Sequence, residues 1–149
     1  MILNKKVILF LILISFFEAN SQEWSPVKGK MMTRWGKQVT PNNVWQEYPR
    51  PQFMRKDWVN LNGLWEFSLS KTNESKPEKF QNKILVPFSV ESTLSGVGKS
   101  IRNDDRMWYK RSFKISKEWE DKDVVLNFEA VDYKAAVWVN GILVGTHKG

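Results

Sequence analysis

The chain has 149 residues and a formal net charge of +7, from 23 Lys and Arg against 16 Asp and Glu. It contains no cysteine, which excludes a disulfide framework, a thiolate metal site and a lipid-modified cysteine. Its basic residues are scattered and form no nucleic-acid-binding motif, so we expect no nucleic-acid partner. The length allows one domain, and eight Trp and nine Phe predict a substantial apolar core.

The N-terminal residues have the layout of a cleaved export signal. Two lysines precede an apolar run, Val7–Phe17, and Ala19 and Ser21 occupy the −3 and −1 positions of a small-residue cleavage site. The run is shorter than the roughly 20 apolar residues of a membrane span, so we expect no membrane partner after its removal. A buried core helix is the less favoured alternative. We predict a signal peptide over residues 1–21 and a periplasmic or secreted protein.

Residues 22–50 are irregular, because prolines interrupt them, yet they are rich in aromatic side chains. Trp24, Trp35 and Trp45 are spaced along this segment, which is too aromatic for a free linker. We predict an extended arm that lies across a folded body, with these three tryptophans as its anchors. The domain proper is predicted over residues 51–149.

The first part of this domain has the pattern of β-strands joined by polar loops. Leu64–Leu69 alternates with period two, which predicts that Trp65 and Phe67 reach the core. Lys83–Pro87 is a short strand ended by proline, and Trp108–Ile115 is a longer one. In the longer strand, one row is apolar apart from an arginine and the other is solvated. The predicted inner row is Tyr109, Arg111, Phe113 and Ile115. The loops between these strands are predicted over 71–79 and 89–106.

The second part continues the β pattern. Ser116 can cap a single helical turn, and the alternation of Val124, Leu126 and Phe128 predicts a further strand. Asn140-Gly141 supplies the two positive φ angles of a type I′ turn, which predicts a hairpin. Its strands are predicted over Tyr133–Val139 and Ile142–Gly145. Apolar residues on both sides of the first strand predict a central, covered strand. The fold class is therefore all-β, an antiparallel β-sandwich.

Six blocks of this sequence, in order, resemble the N-terminal sugar-binding domain of glycoside hydrolase family 2, which includes β-galactosidases, β-glucuronidases and β-mannosidases. The resemblance implies a galactose-binding-like jelly roll, and the segment Trp35–Asn43 is similar to the approach segment of some members. The blocks are Tyr48–Gln52, Trp58–Phe67, Val86–Val97, Trp108–Phe113, Phe128–Tyr133 with Val137–Gly141, and Val144–Gly149.

In the family that the chain resembles, chemistry belongs to a barrel domain much further along the sequence. That barrel supplies two glutamates for a retaining mechanism, with carboxyl groups roughly 5–5.5 Å apart. No glutamate here matches those roles by motif, so we predict no catalytic residue, no metal ligand and no cofactor. The last block continues in the family into further strands. The resemblance therefore implies a sandwich that is incomplete at its C-terminal end, truncated before the barrel. The barrel is the expected partner if the gene continues.

The candidate carbohydrate contacts are four residues that end the long loop: Asp104, Asp105, Arg106 and Trp108. A core position is the favoured alternative for Trp108, an Asx turn for Asp132, and a structural role at a loop start for His147, the only histidine. Three functions stay open. The chain is the leading portion of an exported family 2 glycosidase and inactive alone, a free-standing carbohydrate-binding module, or an interaction protein unrelated to sugar.

Overall fold

A computed structural model describes residues 24–149, so the predicted signal peptide lies outside the described residues. One compact unit runs to Ser112, and Phe113–Gly149 forms the other. Within residues 24–149, no helix has the length and apolar character needed to cross a membrane. The described chain contains strands and short 3₁₀ turns, and the all-β prediction is confirmed. The strands are β1 (Gly63–Lys71), β2 (Asn82–Val86), β3 (Asp105–Lys110), β4 (Lys134–Val139) and β5 (Ile142–Lys148). The 3₁₀ turns are Gly36–Gln38, Pro51–Phe53, Thr93–Ser95 and Lys117–Trp119.

The first unit is built on a three-stranded antiparallel sheet with strand order β2-β1-β3. β1 is the central strand, and its period-two alternation places apolar side chains on one face. Phe67 of β1 is fully buried together with Ile84 of β2 and Val90 of the following loop. Trp65 packs partly buried against this cluster, so the predicted core positions of Trp65 and Phe67 are confirmed. Leu69, Val86, Val97 and Ile101 complete the cluster.

The N-terminal arm lies along the loop that follows β2. The Val27 amide donates to the Thr93 carbonyl at 2.9 Å, and the Thr93 hydroxyl donates to the Met31 carbonyl at 3.0 Å. Lys30 Nζ donates to two carbonyls of the same loop, those of Glu91 at 2.9 Å and Gly98 at 2.8 Å. The arm is therefore fixed by a ladder of hydrogen bonds.

The prediction that three tryptophans anchor the arm is wrong for two of them. Trp35 is 63% exposed and Trp45 is 61% exposed, while Trp24 is half-buried beside Gly96. The buried arm residue near Trp45 is its neighbour Val44. Backbone hydrogen bonds fix much of the arm, so its large aromatic side chains need not point inward.

Strand β3 differs from the predicted strand at both ends, since it begins at Asp105 and stops at Lys110. Its last partner on β1 is Glu66, beyond which β1 continues only beside β2. There the Arg111 side chain replaces backbone pairing, because Nη1 donates to the Leu64 carbonyl at 3.1 Å. Phe113 and Ile115, predicted on the inner row, are 41% and 44% exposed.

The second unit begins with a helical turn and ends in a hairpin. The turn Lys117–Trp119 is capped by Ser116, whose Oγ accepts from the Glu118 amide at 3.3 Å, as predicted. The strand predicted around Val124 and Phe128 is not formed, and both side chains are about half exposed. That segment pairs with no strand among the described residues, and alternation alone does not hold a strand without a partner.

The hairpin pairs β4 with β5 through Asn140 and Gly141, whose φ angles of 51° and 83° confirm the predicted turn. β5 extends to Lys148, three residues past its predicted end, with a register shift between Val137 and Trp138. Trp138 is 48% exposed, so the prediction that both faces of β4 are covered is wrong in this unit. His147 lies within β5 and not at a loop start.

Candidate functional site

The four predicted contact residues lie where the end of β1 meets the beginning of β3. The strand pairing places Lys71 opposite Asp105, Ser70 opposite Arg106 and Ser68 opposite Trp108. Because successive side chains of a strand point to opposite faces, Asp105 lies on one face and both Arg106 and Trp108 lie on the other. Asp104 precedes the strand. The structure therefore brings the four together at one end of the sheet but divides them between its faces.

On the first face, Lys71 joins both aspartates. Its Nζ lies 2.7 Å from Asp105 Oδ1 and 3.0 Å from Asp104 Oδ2. The second oxygen of Asp105 accepts from the Arg102 amide at 2.8 Å, which closes the turn into β3. The hydrogen bond from Lys71 and that from the Arg102 backbone lower the pKa of Asp105. Hydrogen bonds to the two aspartates, that to Asp105 first, raise the pKa of Lys71.

The two aspartates differ in how much of each carboxylate faces solvent. The Asp105 side chain is 14% exposed, and both of its oxygens accept hydrogen bonds from the protein. The Asp104 side chain is 61% exposed and contacts Lys71 through one oxygen. Asp105 thus stabilises the loop, whereas Asp104 offers a carboxylate that can accept hydrogen bonds from a ligand hydroxyl.

On the second face, Arg106 and Trp108 form a stacked pair. The Arg106 guanidinium carbon lies 5.8 Å from the centre of the Trp108 ring, and Nη2 donates to the Thr72 carbonyl at 3.0 Å. The Trp108 indole donates to Ser70 Oγ at 3.0 Å and is only partly buried. A guanidinium beside an indole combines several N–H donors with an apolar ring, which are the groups that recognise a polyhydroxylated ring.

Sequence reasoning missed Lys71, Ser70 and Thr72, which hold these four residues in place. They belong to the end of β1 and its loop, 34 to 38 residues earlier in the chain. Only the register of β1 against β3 brings them to the site. The available signal was the alternation of β1, which places the side chains of Ser68 and Ser70 on the face opposite the apolar core.

Other titratable residues do not form a catalytic or metal-binding group in the part of the chain that the structure describes. Glu91 Oε1 accepts from the Ile101 amide at 3.2 Å and so stabilises its own loop. Glu118, Glu120 and Glu129 are exposed. Within residues 24–149, no set of three or more His, Asp or Glu side chains is placed to hold a metal ion.

An antiparallel β domain with a partly exposed Arg-Trp pair and an exposed carboxylate belongs to the class of carbohydrate-binding β domains by its architecture and chemistry. Residues 97–149 match the family described as "Glycosyl hydrolases family 2, sugar binding domain". This chain therefore carries the sugar-binding domain of glycosyl hydrolases family 2, and the resemblance found in the sequence is confirmed.

Several curated relatives are similar to a large part of this chain. A beta-galactosidase of Thermoanaerobacter pseudethanolicus is 45% identical over 100 residues, which are 64% of this chain and 14% of that protein. A beta-glucuronidase of Streptococcus agalactiae serotype V is 31% identical over 94 residues, 63% of this chain and 16% of that protein. A beta-glucuronidase of Felis catus is 30% identical over 120 residues, 68% of this chain and 18% of that protein. The chain thus spans less than a fifth of these relatives' length.

Proposed function

We propose that this chain is the sugar-binding N-terminal portion of an exported family 2 β-glycosidase and is not itself a hydrolase. The observation that carries the proposal is the match of residues 97–149 to the sugar-binding domain, because that span includes all four candidate contacts. The names of the relatives, beta-glucuronidase and beta-galactosidase, support a β-glycoside as the ligand. Hydrolysis then depends on a barrel domain outside these 149 residues, with the paired carboxylates of a retaining mechanism.

Within this proposal, the contact residues have separate roles. Asp104 accepts hydrogen bonds from sugar hydroxyls, Arg106 donates them, and the Trp108 ring stacks on the sugar. Asp105 positions the loop through Lys71 and touches no ligand. The test is a titration of the purified chain with methyl β-D-glucuronide and methyl β-D-galactoside. Arg106→Ala is expected to weaken binding at least about tenfold, and Arg34→Ala, which removes a cation from the arm, is the matched control. Equal binding by both variants contradicts the assignment.

The proposed absence of hydrolase activity has its own test. We expect the purified chain to release no more aglycone from an aryl β-glucuronide or an aryl β-galactoside than buffer alone. The reason is that no carboxylate pair of the described residues matches the acid/base and nucleophile roles. Turnover that disappears when one of the chain's own glutamates is changed, for example Glu91→Gln, would overturn this part of the proposal.

Export is supported by the layout of residues 1–21 alone. The secreted protein is expected to begin at Gln22, which mass spectrometry of the exported chain determines. An intact Met1 on exported protein contradicts cleavage.

The alternative is a free-standing carbohydrate-binding module, which the partial exposure of Arg106 and Trp108 in this chain favours. The nucleotide sequence that follows codon 149 separates the two functions. A reading frame that continues into further strands and a barrel supports the glycosidase portion. A stop codon together with sugar binding by the purified chain supports the module.

A further inference from the structure

Trp45 presents its indole ring to solvent near the end of the N-terminal arm. This residue is 61% exposed, whereas the preceding residue, Val44, is 1% exposed. An indole has more apolar surface to remove from water than a valine side chain does. Burial alone would therefore favour the opposite arrangement, with Trp45 inside and Val44 outside.

The backbone of Trp45 holds this outward direction in an unfavourable conformation. Its φ angle is 38°, in the left-handed region that disfavours bulky side chains. Two side-chain amides fix the peptide group that follows: Nδ2 of Asn60 donates to the Trp45 carbonyl at 2.7 Å, and Nδ2 of Asn62 donates to it at 3.1 Å. Asn60 Oδ1 in turn accepts from the Asn62 amide at 2.7 Å. Backbone strain of this kind is concentrated at ligand-binding positions.

The exposed indole also has a second aromatic ring beside it. The ring centres of Trp45 and Phe88 lie 5.8 Å apart at an interplanar angle of 57°. Each asparagine amide has two N–H groups, and the Trp45 carbonyl takes one from each. The surface thus combines a rigid, apolar indole face with amide donors at its border. That combination suits a pyranose ring, whose C–H face stacks on an aromatic ring while its hydroxyls accept hydrogen bonds.

We propose that Trp45, supported by Phe88 and held by Asn60 and Asn62, is a second carbohydrate-contact site that binds a pyranose ring by stacking. The site lies outside residues 97–149 and uses none of the four contacts assigned above. A sugar is the occupant because the same chain carries a sugar-binding domain and because the border of the indole is formed by amides. This inference rests on the proposed sugar-binding function and extends it to the arm.

The experiment observes each tryptophan separately, by ¹⁹F NMR of the full chain containing fluorinated tryptophan, with Trp→Phe variants to assign resonances. During titration with methyl β-D-galactoside and methyl β-D-glucuronide, the Trp45 resonance is expected to shift and saturate. Trp45→Ala should weaken the binding that acts at this site at least about tenfold, and Trp45→Phe should retain part of it. Trp35→Ala is the matched control, since Trp35 lies on the same arm, is 63% exposed and should leave binding unchanged.

The two sites are distinguished by their reporters. A Trp45 shift that survives Arg106→Ala supports a separate site on the arm. A shift of Trp108 alone, with Trp45 unmoved at saturating sugar, overturns this inference and leaves the proposed function standing. No shift at either ring overturns both. A Trp45 resonance that moves with protein concentration and not with sugar identifies a protein interface, and it also overturns the inference.

Discussion

Lys71 and Asp105 face each other across β1 and β3, and the Lys71 ammonium lies 2.7 Å from the Asp105 carboxylate. The same ammonium reaches Asp104 at 3.0 Å, and Asp105 also accepts from the Arg102 amide. One lysine therefore fixes the turn that leads into β3, and with it the start of the strand that carries Arg106 and Trp108. The geometry of the candidate site depends on this ion pair although neither partner is expected to touch a ligand.

The first prediction concerns Asp105→Asn and acid. The pKa of Asp105 is lowered in the folded chain, so its stabilising contribution is present above the unfolded pKa of about 3.9 and is lost as pH falls through the folded pKa. The variant should be less stable than the wild type near neutral pH, and this difference should close in acid. Denaturant midpoints across that range measure it. Asp104→Asn, at the more exposed carboxylate, should show a smaller difference, and a gap that is constant with pH would contradict the prediction.

The second prediction concerns Tyr109, whose ring packs edge-on against Phe67 with centres 5.1 Å apart. Partial burial raises the pKa of its hydroxyl. The neutral form is therefore favoured by folding, and this contribution is present below the unfolded pKa of about 10 and is lost as pH rises through the folded pKa. The tyrosinate absorbance difference between wild type and Tyr109→Phe should appear above pH about 10. A difference that titrates at the ordinary value would contradict it.

Local features of this fold were predictable from the sequence. The alternation of Leu64–Leu69, the cap at Ser116 and the Asn140-Gly141 turn each depend on residues within a few positions of one another, and all three are confirmed. Conformational preference at that range is set by sterics and by short-range hydrogen bonds.

Contacts distant in sequence were not predictable. Trp108 donates to Ser70, 38 residues earlier, and no spacing rule selects that partner from a set of similar serines. The exposure of Trp45 was missed for a related reason. Hydrophobicity predicts burial of an indole, whereas its direction is fixed by a positive φ and by amides from another segment. Alternation likewise indicated a strand at Val124, although pairing requires a partner strand.

The third prediction concerns the hairpin turn. Asn140 has a φ of 51°, where a β-branched residue is strongly disfavoured, so Asn140→Val should destabilise the hairpin by about 1–2 kcal/mol. Hydrogen exchange of the β4 and β5 amides should accelerate in this variant. Asn140→Gly is the matched control, because glycine adopts the same φ without steric cost, and its exchange should stay close to that of the wild type. Equal protection in both variants would show that the turn does not limit hairpin stability.

The last prediction concerns the contact between the arm and the loop after β2, where Gly96 lies against Trp24. Gly96 has a φ of 80°, and a Cβ there would lie 2.7 Å from two atoms of the Trp24 indole. Gly29 has nearly the same φ, 78°, but no described atom lies within 4 Å of its added Cβ. Both alanine variants therefore carry the cost of a positive φ, about 1–2 kcal/mol, and only Gly96→Ala adds a steric clash.

Because a ring held against backbone cannot move without giving up its packing, the clash should cost Gly96→Ala about 1–3 kcal/mol more than Gly29→Ala. Denaturant unfolding of the two variants measures that difference. Limited proteolysis should also cut the arm faster in Gly96→Ala, since displacing Trp24 weakens the nearby Val27–Thr93 hydrogen bond. If the two variants unfold at the same midpoint and are cut at the same rate, Trp24 does not hold the arm in place.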